Sequence, residues 1–320
     1  MKTMVLGRAG RRTASVVAVA LAAVSMQADA GRAGAAATCA GASATIRGSD
    51  AGDALSGTTA DDVIAAGGGD DTISGLEGDD VLCGGDGNDV VVGGPGRDVM
   101  LGQGGDDVIS GWPAHHDRPP SGGDVFRGGA GSDALKGNQG DDVMYAGEGD
   151  DVISGAGGDD LCDGGAGSDS ISGVAGDDRV FGGPGADSLL GRPGRDVVSG
   201  GDGNDAIGGG PDADRLVGGA GDDVVTGDGR FHEVPDDECN WASCASGADV
   251  LVGGPGVDVL NGQRRNDALF GGSDADYLVG EDGDDDLRGG GGEDVNDGGP
   301  GVDLCRSPRS GDDGASACER

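Results

Sequence analysis

Aspartate recurs along this chain at a fixed interval of nine residues. Stepping by nine from Asp53 lands on Asp62, Asp71, Asp80, Asp89, Asp98 and Asp107. A second run starts at Asp124 and continues through Asp133, Asp142, Asp151, Asp160, Asp169, Asp178, Asp187, Asp196, Asp205, Asp214 and Asp223. A third holds Asp249, Asp258, Asp267, Asp276, Asp285, Asp294 and Asp303. The runs contain 7, 12 and 7 units, twenty-six in all. The chemistry such a column offers is ligation of a cation by hard oxygen, repeated many times. Transition metals would call for His or Cys, which the repeating columns do not supply.

The neighbouring columns indicate what positions the acids. Two residues after the Asp an apolar residue stands in 25 of the 26 units, the exception being Asn296. Two residues before it stands Gly in 21 of 26, failing at Ala51, Ala60, Asp212, Arg265 and Asp274. Pro95, Pro184, Pro193, Pro211, Pro255 and Pro300 each lie three residues before their Asp, so that column needs no backbone N–H. The Gly-rich part of a unit can turn tightly. The last three residues, such as Val90-Val91-Val92, can form a short strand with its middle side chain on one face. A three-residue strand is stable only when stacked on equivalent strands, which piles the middle residues into a narrow apolar column. Two units then make one coil, with two parallel sheets joined by turns.

Composition alone points elsewhere. Gly numbers 74 and Pro 11 in 320 residues, aromatics are 2%, and the net charge is -38. Without a period, these values describe an acidic disordered chain. The period replaces that reading, and the narrow column accounts for the scarcity of aromatics. Stacking also repeats the carboxylates along each edge at about 4.8 Å. Such a ladder demands a cation, and carboxylate plus turn carbonyl suits Ca²⁺ better than Mg²⁺.

The units GGDGNDVVV and GGPGRDVML resemble the nonapeptide of the RTX, or haemolysin-type, calcium-binding family. The resemblance extends from about Gly48 to Cys305. It implies an all-β, right-handed parallel β-roll with Ca²⁺ between turns two units apart. The phased Asp would give side-chain oxygen and the loop carbonyls the rest. The expected metal ligands are Asp71, Asp80, Asp89, Asp98, Asp107, Asp133, Asp142, Asp151, Asp160, Asp169, Asp178, Asp187, Asp196, Asp205, Asp214, Asp223, Asp249, Asp258, Asp276 and Asp285. Pairing units n and n+2 within each run gives a number of ions on the order of twenty. The first two units lack the Gly before the Asp and are expected to cap the roll. Arg264 and Arg265 stand in the loop before Asp267, where a cation should sit poorly. The second Asp that often precedes the phased one, as at Asp61, Asp70, Asp79, Asp141 and Asp150, reads mostly as solvated surface and otherwise as an auxiliary ligand.

The remaining segments frame the repeats. Residues 1–30 read as a signal peptide: four basic residues, the apolar stretch Ser15 to Met26, and Ala28-Asp29-Ala30 for cleavage. The stretch is too short to span a bilayer. Arg11-Arg12 leaves both general and twin-arginine export open. Cleavage after Ala30 removes four bases and one acid from -38 and leaves -41. Residues 31–47 form an N-terminal cap, 48–110 the first block of the roll, 111–118 an insert and 119–226 the second block. Residues 227–243 form a second insert, 244–306 the third block and 307–320 a disulfide-pinned tail. Seven Cys in an exported chain imply disulfides and one thiol left over. The expected pairs are Cys39–Cys83, Cys239–Cys244 and Cys305–Cys318, with Cys162 free in the apolar column; other connectivities remain open.

The inserts hold both Trp residues, Trp112 and Trp241, and all three His, His115, His116 and His232. Both inserts follow odd-numbered units, so they are expected on one edge unless either continues the coil as a degenerate turn. They read either as tolerated loops or as a recognition face for an extracellular protein or glycan. No HExxH, GxSxG elbow or pore-forming helix occurs. The expected function is therefore a secreted, non-enzymatic calcium-binding protein serving as a surface or matrix module. The alternatives are an adhesin using the Trp-containing inserts, or an accessory module of an extracellular hydrolase or toxin system. Nucleic acid and membrane insertion of the mature chain are not expected.

Overall fold

The computed structural model describes residues 38–111, 122–227 and 248–306. The chain divides into a unit of residues 1–35 and a unit of residues 36–320, and the described residues all belong to the second. The signal-peptide segment, the bulk of both inserts and the tail after Arg306 lie outside the described residues, and with them Trp112, Trp241 and the three His.

The described residues form twenty-nine strands and no helix, so no helix long and apolar enough to cross a membrane occurs among them. Fourteen strands make one parallel sheet, sheet I, from Ile46–Arg47 to Leu304–Arg306. Thirteen make a second, sheet II, from Ala54–Ser56 to Val295–Asp297. Consecutive strands alternate between the sheets, so each nine-residue unit crosses from one to the other. Neighbours in a sheet are 18 residues apart, as in Val90 beside Val108 and Val81 beside Val99. This is the solenoid that the period implies.

The middle residue of every short strand points inward. Ile73, Val91, Ile109, Ile153 and Leu189 are fully or almost fully buried, and they belong to one continuous column that runs from Ile64 to Leu287. Outward neighbours are open: Val90 is 41% exposed and Val152 54%. Phe126 is the one aromatic residue in the column, and it stands on the first strand after the first insert. Asn296, beside Leu278, is buried in the column where the roll approaches its end.

Register decides how the insertions are accommodated. Across the first, Val99 pairs with Val125 and Val108 with Ala134; across the second, Arg215 pairs with Val250 and Val224 with Val259. Neither insertion replaces a unit of the coil. Each opens after a sheet II strand (Val108–Ser110, Val224–Thr226) and closes before a sheet I strand (Val125–Ala130, Val250–Pro255). Both therefore open from the same edge, six strands apart in sheet II, which is roughly 29 Å at the usual strand spacing.

The N-terminal end is covalently tied. Thr38–Cys39 and Ala42–Ser43 form a small antiparallel pair, and Cys39 is bonded to Cys83 on the outer side of sheet I. Both sulfur-bearing residues are buried against Ala65. The bridge closes a loop with a sequence separation of 44, worth about 4 kcal/mol in the chain-entropy account. Cys162 is a free thiol inside the column, and burial raises its pKa. Cys305 is disulfide-bonded; Cys318 and the Cys239–Cys244 pair lie outside the described residues.

Candidate metal centre

The short strand fixes where each phased carboxylate goes. The Asp stands just before the strand, where the turn enters the sheet, and its side chain folds into the turn. From Asp71 to Asp303 every phased Asp is at most 4% exposed. The acids form two ladders, one per edge. One runs from Asp62 to Asp303 on the edge where both insertions open. The other runs from Asp53 to Asp294.

Each ladder is stitched by one hydrogen bond per coil. The main-chain N–H of a phased Asp donates to Oδ1 of the phased Asp on the next coil, as from Asp80 to Asp98 at 2.9 Å and from Asp133 to Asp151 at 2.7 Å. The stitching passes through both insertions unbroken: Asp98 donates to Asp124 and Asp214 to Asp249, each at 2.8 Å. Confining sites to single runs is therefore not required by the fold.

Oδ1 is thus engaged, and Oδ2 is the oxygen left over. For the expected ligands other than Asp142 and Asp249, and also for Asp303, Oδ2 is buried without a hydrogen-bond partner. Asp142 Oδ2 accepts the Asn138 N–H at 2.8 Å, and Asp249 makes a further contact. Asp53 and Asp62 accept from Ser49 and Thr58. Asp303 stands in the same phase as the others, so the period itself is the signal for it.

The spare oxygens lie where the chain omits a side chain. The glycine five residues before the Asp has no side chain, and the position its Cβ would take is shared by Oδ2 and a carbonyl of the next coil. At Gly182 that position lies against Asp187 Oδ2 and 2.7 Å from the Gly200 carbonyl oxygen. At Gly84 it lies against Asp89 Oδ2 and 2.9 Å from the Gly102 carbonyl. Among the described residues, no three His, Cys, Asp or Glu side chains converge on one point. One carboxylate oxygen beside a main-chain carbonyl would offer a hard, all-oxygen donor set that fits Ca²⁺ and leaves thiolate- or imidazole-seeking metals without ligands.

The electrostatics agree with that fit. Burial, followed by repulsion from neighbouring acids and opposed by the stitching N–H, raises the carboxyl pKa values: Asp133 to about 6, Asp98 to about 7, Asp160 to about 8 and Asp214 to about 9. A carboxylate in this position requires a cation or a proton.

The second acid of each pair stays at the surface yet is engaged. Asp61 Oδ1 accepts the Asp79 N–H at 3.0 Å, and Asp150 Oδ1 accepts the Ser168 N–H at 2.8 Å. These residues stitch the outer rim of the turns in the direction opposite to the inner ladder. Arg264 and Arg265 are exposed, and Asp267 beyond them is as buried as its neighbours.

Turn geometry carries its own cost. Of the five units lacking Gly two before the Asp, Asp212, Arg265 and Asp274 still adopt a left-handed φ of 83°, 83° and 78°. Four residues before the Asp, Leu76, Gln103, Ala156, Val174, Arg192, Gln263 and Glu281 are also left-handed. Val174, with φ 88°, is the most costly of these because it is β-branched. Val174→Gly is expected to stabilise the calcium-loaded protein by about 1 kcal/mol, which raises the thermal midpoint by about 2–4 °C. A melting curve in calcium checks this, and a lower midpoint would contradict the strain.

The RTX calcium-binding nonapeptide repeat model matches residues 47–82, 84–113, 121–153, 137–171, 172–207, 208–229, 245–278, 261–295 and 270–304, more than half of the chain. No curated protein matches it significantly.

Proposed function

The chain belongs to the RTX calcium-binding nonapeptide repeat family, and from that premise we propose that it is a secreted, non-enzymatic protein whose structure is assembled by calcium. The observation that carries the reading is the row of buried Oδ2 atoms with no hydrogen-bond partner. A roll built this way is a scaffold whose order depends on external calcium, suited to a surface or matrix module. Export is supported by the Cys39–Cys83 bridge, a feature of oxidising compartments, and by the basic, apolar and small-residue pattern of residues 1–30. The ligands we assign are the twenty phased aspartates named above, with Asp303 added. Asp142 is the weakest of the set because its second oxygen is already engaged.

Native mass spectrometry in calcium tests the reading. A number of bound ions on the order of twenty is expected. A chain that carries only a handful would contradict the assignment of the phased aspartates as ligands.

An adhesive role is the second reading. It is favoured by the register, which opens both insertions from one edge. A partner that is lost when Trp112 and Trp241 are both changed, with calcium uptake intact, would separate it from a plain scaffold.

A further inference from the structure

We propose that the residue four positions before each phased Asp decides whether that turn takes calcium, and that Asn138 closes one rung of the array with an amide in place of the ion. The inference rests on the calcium reading above and refines it by withdrawing Asp142 from the assigned ligands.

At nearly every described position of this column the backbone is left-handed, whether the residue is Gly, as at Gly85 (φ 127°) and Gly147 (φ 130°), or not, as at Leu76 (φ 79°) and Val174 (φ 88°). Among the described residues, Ser49, Thr58 and Asn138 are the exceptions: none has a positive φ. The consequence is the same at all three. The main-chain N–H donates to Oδ2 of the unit's own Asp: Ser49 to Asp53 at 2.7 Å, Thr58 to Asp62 at 2.7 Å and Asn138 to Asp142 at 2.8 Å. The Ser49 and Thr58 hydroxyls donate to the same oxygens, each at 2.8 Å. In left-handed turns such as those of Asp80, Asp89, Asp151 and Asp178, Oδ2 is buried with no partner. The backbone conformation at one position thus separates a turn that satisfies its carboxylate from one that leaves it for a cation.

Ser49 and Thr58 stand at the start of the roll, where a cap is expected. Asn138 stands inside it. It is 3% exposed, and all of its polar atoms are engaged. Nδ2 reaches back one coil to donate to Asp124 Oδ2 at 2.6 Å, the main-chain N–H serves Asp142, and Oδ1 accepts the Gly140 N–H at 2.7 Å. One neutral residue therefore satisfies two consecutive carboxylates of the same ladder, Asp124 through its side-chain amide and Asp142 through its main-chain N–H. The position that a Cβ on Gly111 would take lies 2.7 Å from Asp124 Oδ2 and 2.8 Å from Asn138 Nδ2, so the amide occupies the space that carboxylate and carbonyl share elsewhere. Gly111 is also the first residue of the first insertion and the last described one there. Asn138 thereby fixes the coil at the root of that insertion without calcium and divides the ladder into a short segment before it and a long one after it.

The test is a gain of binding. Asn138→Gly and Asn138→Leu both remove the amide and admit a left-handed backbone, as Gly147 and Leu76 do. Native mass spectrometry of the full-length chain in calcium counts ions as whole mass steps. Each variant is expected to carry about one more Ca²⁺ than the wild type. The same calcium count in the wild type and in a folded variant would overturn the inference. Two substitutions are used so that misfolding of one leaves the other to decide. A wild-type chain that takes up no calcium at all would overturn the underlying reading instead, so the two failures are told apart.

Discussion

Chelating calcium from the full-length protein with EDTA at pH 8 is expected to remove nearly all of its far-UV β-signal and to expand its hydrodynamic radius roughly twofold. Nine residues contribute a single side chain to the column, and full burial of Ile, Leu or Val stabilises by about 1.5–3 kcal/mol. The same nine residues bury one carboxylate whose second oxygen lacks a partner, as at Asp98 and Asp187. The effective penalty for an uncompensated buried ion is several kcal/mol. The stitching N–H to Oδ1 offsets part of it, but not the whole. Self-repulsion at a net charge of -38 adds to the imbalance across the chain. A bound cation reverses the sign of the carboxylate's contribution, so that metal binding appears as folding free energy. Because each coil rests on its neighbours, loss should be cooperative within a run of coils. Magnesium should restore the signal poorly, since the donor set is irregular and largely carbonyl. A chelated chain that keeps both its β-signal and its compact radius would refute the account.

Much of the roll is legible in the amino-acid sequence, for a physical reason. Inward and outward positions in a strand alternate strictly, so the residue two after each Asp can only be the core. The buried column from Ile64 to Leu287 is that residue, unit after unit. Cys83 is one residue beyond its column position and so faces outward, where Cys39 reaches it. The parallel pairing 18 residues apart follows from two units per coil. Insertions of 8 and 17 residues are ambiguous by length, each being one residue short of whole units. Only the pairing of Val99 with Val125 and of Arg215 with Val250 resolves them as loops outside the coil.

The division of labour between the two carboxylate oxygens is not legible in the same way. It depends on which donor the adjacent coil presents, and composition does not encode that. The paired acids show this well. Asp79 and Asp80 are identical in type, yet Asp79 is exposed and donates its N–H to Asp61, whereas Asp80 is buried and donates its N–H to Asp98. Asn138 does leave a trace, since GNQGDDVMY places Asn in a column otherwise filled mainly by Gly. Its meaning requires knowing that a change in φ turns the N–H toward the acid.

Protons should substitute for calcium, and the direction of the effect distinguishes buried acids from exposed ones. Buried carboxyls along both ladders have pKa values in the calcium-free fold that are raised above the ordinary 3.8: about 6 at Asp133 and Asp151, about 7 at Asp98 and Asp196, about 8 at Asp160. Desolvation is the leading cause in each case. Between pH 3.8 and those values the folded chain holds more protons than the unfolded chain, so stability falls as the pH rises. The contribution is fully favourable below the unfolded value and is lost as the pH climbs through the folded one. In EDTA the chain is therefore expected to be unfolded at pH 8 and to regain β-signal on acidification. The transition should fall between about pH 4 and pH 8 and should be steep, because many carboxyls take up protons together. Added calcium should raise the signal strongly at pH 8 and have little effect near pH 4, where protons already occupy the carboxylates, and its binding near pH 7 should release protons. Circular dichroism across pH, with and without calcium, reads all of this. A gain of structure confined to pH values below about 4 would match only the titration of ordinary exposed acids, and the buried ladders could not then be what holds the metal-free chain open.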